Sequence, residues 1–276
     1  MKRLSKDIKV LLIIIFVLLV CIFAICGYQI YTILHGYKVA ADTYASMSSS
    51  YVTTPTPAPT VMPGEPTPEP TPERDPKEYS PVNVDFNALL AECPDVAGWL
   101  YSPDTVINYP IAQGRDNDYY LYRLIDGSDN ANGTLFMDYR CQKDLSGQNT
   151  IVYGHHMNDG SMLASLCKYC DQAYYDAHPY MFLNTPSGNY RIDIFSGFTT
   201  PADSAAYTMF FSSDTEFDRF ITNMKSYSDF SSPIEVTTDD RLIMFSTCTY
   251  DYESARYIIF GKLVPLVEEA AEAPQG

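Results

Sequence analysis

Residues 243–263 read IMFSTCTYDYESARYIIFGKL. Ile243, Met244 and Phe245 suit a buried strand, and Tyr257, Ile258, Ile259 and Phe260 suit another, so the polar stretch between them is a surface connection. Cys248 closes the first apolar run and Arg256 opens the second. A single cysteine is ordinarily a small buried hydrophobe. A thiol at a strand end, facing a loop that returns a guanidinium, is instead placed where a thiolate can reach a substrate.

Similar short runs lie upstream. GWLY (98–101), VINYPIA (106–112), GTLFMD (133–138), NTIVYGHH (149–156) and YRIDIFSGF (190–198) precede RLIMFSTC (241–248) and RYIIFGKLV (256–264). Turn signals separate them, which predicts a mainly β fold, a β-barrel or closed sheet with helical insertions. DFNALLAEC (85–93) reads as a short N-terminal helix. The longest insertion falls between Phe198 and Arg241; within it Phe217, Phe220, Ile221 and Met224 recur at the spacing of an amphipathic helix.

Histidines end another of the apolar runs. The chain has four, and His155 and His156 follow Tyr153-Gly154 directly, whereas His35 and His178 sit in ordinary contexts. Strand ends converge on the rim of a barrel, so a histidine and a cysteine at two such ends can meet. Cysteine, histidine and arginine suffice for acyl transfer. The thiolate attacks a carbonyl, an imidazolium gives a proton to the leaving amine, and a guanidinium holds substrate or oxyanion by forked hydrogen bonds. This chemistry requires no metal or cofactor, and neither H-E-x-x-H nor G-x-S-x-G occurs.

The first third of the chain has a different composition. Residues 10–27, VLLIIIFVLLVCIFAICG, carry no charge and as a helix span roughly 27 Å, one membrane crossing. Lys2, Arg3, Lys6 and Lys9 against Asp7 put the N-terminus in the cytoplasm and the rest outside. The small-residue stretch Val39-Ala40-Ala41 lies too far beyond the apolar run for a cleaved signal peptide. Residues 51–82 repeat Thr-Pro and Pro-Thr units and read as a stiff extended tether. The divisions expected are therefore a cytoplasmic tail (1–9), a transmembrane anchor (10–34), an extracellular Pro/Thr-rich linker (35–84), a globular domain (85–267) and an acidic C-terminal tail (268–276).

The net charge of −16 falls beyond residue 84, because residues 1–84 carry seven basic and seven acidic groups. Such an acidic domain is unsuited to nucleic acid, which requires a basic stripe. It suits simple solvation or the attraction of a cationic amine. Five of the seven cysteines lie outside the apolar span, so full pairing is impossible and at least one thiol, most simply Cys248, stays reduced. Cys167 and Cys170 form a C-x-x-C with no second such pair for zinc, and a packing role is expected for both.

FSTC (245–248) followed by Arg256, together with YGHHMNDGSM (153–162) and VAGWLYSPDTVINYPIAQGRDNDYYL (96–121), resembles the sortases, specifically class B. The resemblance covers about residues 85–264. It departs at Phe245, where the family more often has leucine. It implies the closed barrel of the sortase type and a membrane-anchored cysteine transpeptidase, a thiol peptidase by class, from a Gram-positive bacterium. Such an enzyme cleaves the C-terminal sorting signal of exported proteins after a threonine, holds the acyl group as a thioester on Cys248, and passes it to a peptidoglycan amine. By motif position it implies His155, Cys248 and Arg256 as catalytic residues, and Ser246, Tyr153, Asn117 and Leu121 as substrate-binding residues. His156 is expected to be a bystander. A hydrolytic cysteine peptidase would use the same trio, a pilus-assembling sortase would share the motifs, and a surface adhesin would share the anchor and stalk.

Overall fold

Eight strands close into one barrel in the computed structural model of the protein, which describes residues 6–54, 79–249 and 254–266. In chain order the elements are α1 (Lys6–Tyr51), β1 (Val52–Thr53), β2 (Asn83–Val84), α2 (Phe86–Glu92), β3 (Val96–Tyr101), β4 (Asn108–Ala112), β5 (Leu135–Met137) and β6 (Asn149–Tyr153). There follow α3 (Gln172–Ala177), β7 (Tyr180–Thr185), β8 (Gly188–Pro201), α4 (Asp214–Ser226), β9 (Leu242–Cys248) and β10 (Ala255–Pro265). Three 3-10 helices, Tyr119–Leu121, Ala164–Cys170 and Ala205–Tyr207, fill the connections. The proline-rich stretch at 55–78, the whole of the acidic tail at 268–276 and the loop tip at 250–253 lie outside the described residues.

Around the barrel the strands run β10, β8, β7, β3, β4, β5, β6, β9, and β9 pairs with β10 to close it. Two of these pairings, β4 with β5 and β6 with β9, are parallel, and the others are antiparallel. All seven runs picked out by sequence form strands. β7 is additional: its YMFLNT run is almost entirely buried and lacks the alternation that marks a half-buried strand. It joins β8 through a hairpin in which Gly188 sits at φ 147°, a conformation suited to glycine.

The helix expected in the long insertion is α4. Ser213 caps it, its Oγ accepting the Glu216 N–H, while the Glu216 carboxylate accepts the N–H of Ser212. Phe217, Phe220, Ile221 and Met224 are all buried against Ile151, Met244, Ile258 and Phe260 of the barrel. Each such side chain contributes about 1.5–3 kcal/mol by leaving water. One face of the β6-β9-β10 sheet is therefore sealed by a helix.

The chain divides into two compact units, Met1–Thr43 and Tyr44–Gly276. In the first, α1 supplies one helix long and apolar enough to cross a membrane. The second starts earlier than the boundary at residue 85 read from composition. Tyr44 Oη donates to the Gly133 carbonyl at 2.6 Å, and Asn108 Nδ2 donates to Ser48 Oγ at 3.0 Å. Val52 and Thr53 pair with Val84 and Asn83. Residues 44–53, assigned by sequence to the linker, thus hold regular structure within the unit that contains the barrel.

Candidate functional site

The face that α4 covers runs on past the helix toward one rim. Along it the cross-strand partners form rows: Ile151, Met244 and Phe260, then Tyr153, Ser246 and Ile258, then Cys248 beside Arg256. Side chains two apart on a strand share a face. The apolar first row lies in the helix-covered core, and the last carries a thiol and a guanidinium on adjacent strands. Because β6 and β9 are parallel, their C-terminal ends reach the same rim, and the Gly154 N–H extends the ladder to the Ser246 carbonyl at 3.1 Å. Register carried on from the Tyr153–Ser246 pair brings residue 155 level with Cys248.

His155 and Cys248 are half-buried, as is Arg256. Nε2–H of His155 donates to the Leu121 carbonyl at 2.6 Å, which assigns a proton to that nitrogen. The tilted Tyr122 ring lies 6.0 Å from the imidazole. Gly154 is required where it stands, since a Cβ there would collide with Leu135 and Leu163. Arg256 directs one guanidinium nitrogen to the Ala255 carbonyl at 3.0 Å. His156 turns elsewhere: its Nδ1–H donates to the Cys248 backbone carbonyl at 2.9 Å.

Of the other residues singled out by sequence, Asn117, Tyr153 and Ser246 are joined through groups that sequence reasoning missed. Asn117 Nδ2 and Tyr153 Oη both donate to Oδ2 of Asp138, at 2.9 and 3.0 Å. The Arg140 guanidinium forks onto the same carboxylate at 2.9 and 2.8 Å, and the Arg140 N–H adds a further bond at 3.0 Å. The Asp138 side chain is fully buried. Burial pushes its carboxyl up, but the bonds from Arg140, Asn117 and Tyr153 outweigh this and hold it down at about 2. Burial and the Asp138 charge push the Tyr153 phenol up, so it remains a donor. Ser246 Oγ lies 2.8 Å from Tyr207 Oη, and the Tyr207 ring stacks on Tyr153 at 6.3 Å. Leu121 enters through its backbone, as the acceptor for His155.

Asp138 had a visible signal in the sequence, a lone acid closing the apolar run LFM. Tyr207 had none, because it sits in an irregular insertion. Cys170 also departs from expectation: it is exposed, so it does not have the packing role read from its helix. All five cysteines beyond the apolar span are thiols. Among the described residues no group of three or more His, Cys, Asp or Glu is arranged to hold a metal.

No family model matches the chain. The barrel itself has close counterparts among solved structures. Sortase B from Bacillus anthracis in complex with AAEK1 superimposes with a TM-score of 0.69 at 32% identity, over 84% of this chain and 100% of that one. A Staphylococcus aureus sortase B-substrate complex gives 0.63 at 29% identity, over 66% of this chain and 85% of that one. The fold is thus that of a sortase, a class of cysteine transpeptidases. In sequence the chain is 40% identical over 172 residues to Sortase B of Listeria monocytogenes serovar 1/2a (strain ATCC BAA-679 / EGD-e), covering 62% of this chain and 70% of that protein. It belongs to the sortase B family.

Proposed function

We propose that the protein is a membrane-anchored transpeptidase that cleaves a C-terminal sorting signal of exported proteins and transfers them to a peptidoglycan amine. The observation that carries this reading is the direct pairing of Cys248 with Arg256 across β9 and β10, level with the end of β6. In the mechanism, the Cys248 thiolate attacks the carbonyl carbon of a threonine. The Arg256 fork stabilises the oxyanion as it forms. His155 gives a proton to the departing amine, the C–N bond breaks, and a thioester remains on Cys248. An incoming amine then attacks the thioester, returns a proton to the imidazole and releases the thiolate. Asn117, Tyr153, Ser246 and Leu121 line the groove for the signal, with Asp138 holding the first two in position.

Two solved relatives support the two half-reactions: one sortase B is captured with a substrate and another with triglycine. The apolar part of α1 supplies the anchor, and the basic residues at 2–9 orient it with the barrel outside. The test is a panel of peptides carrying threonine followed by a small residue, incubated with and without triglycine. The expected products are an acyl adduct on Cys248 and an amide to triglycine. Cys248→Ala should keep the fold and form neither. Hydrolysis alone in excess triglycine would assign the protein as a peptidase, and turnover by Cys248→Ala would remove the nucleophile assignment.

A further inference from the structure

On the 3-10 helix Ala164–Cys170, beside the backbone of Cys248, lies a second arrangement of sulfur and imidazole. A 3-10 helix has three residues per turn and rises about 2.0 Å per residue, so side chains three apart eclipse one another. Cys167 and Cys170 are three apart on it, which sets their Cα atoms about 6 Å apart, inside the range of about 4.4–6.8 Å that a disulfide spans. Both open on one cleft of about 820 Å³, lined also by His156, Tyr174 and His178. Cys170 is exposed and Cys167 half-buried, so a reagent entering from solvent meets Cys170 first. Behind it, Cys167 Sγ lies 3.4 Å from Nδ1 of His156. That N–H also serves the Cys248 carbonyl at 2.9 Å, and Cys167 Sγ is 4.0 Å from the same oxygen.

We propose that Cys167 and Cys170 are a modification site, a dithiol that closes to a disulfide by exchange with low-molecular-weight disulfides. In the first step the Cys170 thiolate attacks one sulfur of RS–SR, and RS⁻ departs, leaving a mixed disulfide on Cys170. In the second, the Cys167 thiolate, hydrogen-bonded by His156 Nδ1–H, attacks the Cys170 sulfur and expels the second RS⁻. The two cysteines lose two electrons, RS–SR gains them, and the two cysteine protons end on the two RSH released. His156 aids closure by stabilising the attacking thiolate, a charge-assisted bond of the kind that favours the ionised partner.

The site is tested by mass analysis of the full chain in detergent, independently of any transpeptidase assay. The protein is equilibrated with oxidised glutathione, remaining thiols are alkylated, and the denatured chain is cut with trypsin. Lys168 lies between the two cysteines, so a peptide ending at Lys168 and one beginning at Tyr169 should stay joined until a reductant is added. Cys170→Ser should abolish the joined pair, and His156→Ala should slow its formation about tenfold. Glutathione retained on Cys170 with Cys167 alkylated, or Cys167 linked to Cys248, would overturn the proposal. An unchanged closure rate in His156→Ala would overturn the role given to His156.

Discussion

Asp138→Asn is the substitution whose effect follows most directly from the structure. Asparagine keeps the shape of the side chain but removes the charge that gathers Arg140, Asn117 and Tyr153. The carboxyl titrates at about 2 in the folded protein against 3.8 in an open chain. Its folded value is depressed, so its contribution is complete well above the open-chain value and is lost as pH falls through the folded one. Linkage over this interval gives about 2 kcal/mol at pH 7, most of which remains at pH 4 and roughly half at pH 3. Urea unfolding of residues 44–276 and of the variant, followed by tyrosine fluorescence at each pH, measures the difference. It should be about 2–3 kcal/mol at neutral pH and shrink by roughly half by pH 3. In the proposed reaction the variant should also raise KM more than it lowers kcat, because Asn117 and Tyr153 lose the group that positions them. A difference under about 0.5 kcal/mol at pH 7, or one that stays flat down to pH 3, would refute the assignment of Asp138 as a charged anchor.

Arg256→Lys keeps the charge but not the planar fork, and should lower kcat/KM by about 10² to 10³ in a peptide-cleavage assay, with iodoacetamide labelling of Cys248 little changed. Activity within about threefold of the parent would mean that only diffuse charge is used. His155→Ala should cost at least about a hundredfold and His156→Ala far less; the reverse order would move the proton donor by one residue. Deleting residues 1–84 removes the Tyr44, Ser48 and β1 contacts, and should lower the melting temperature relative to a chain starting near residue 36, by differential scanning fluorimetry. Equal melting temperatures would show that these contacts add nothing.

The strands were legible in the sequence because their apolar runs are bounded by turns, and the candidate site was legible because Cys248, Arg256 and His155 stand at the ends of those runs. β7 was not, since an evenly buried run carries no period. The packing of residues 44–53 was masked by the prolines beyond them, whose composition coloured the whole segment. Asp138 and Tyr207 escaped for a different reason. Their importance lies in contacts with residues 15 and 39 positions away, Tyr153 and Ser246, and no local pattern encodes such pairings.

The parallel pairing of β6 with β9 also constrains when the enzyme can come into being. Residues 149–153 pair on one edge with the nearby β5 but must wait for 242–246 before the second edge is satisfied, and Cys248 gains its partner only with the strand that ends at Pro265. Contacts this distant in sequence form slowly and late. A growing chain therefore presents the thiol before its neighbours are in place, and the site is complete only once the strand that ends at Pro265 has been made.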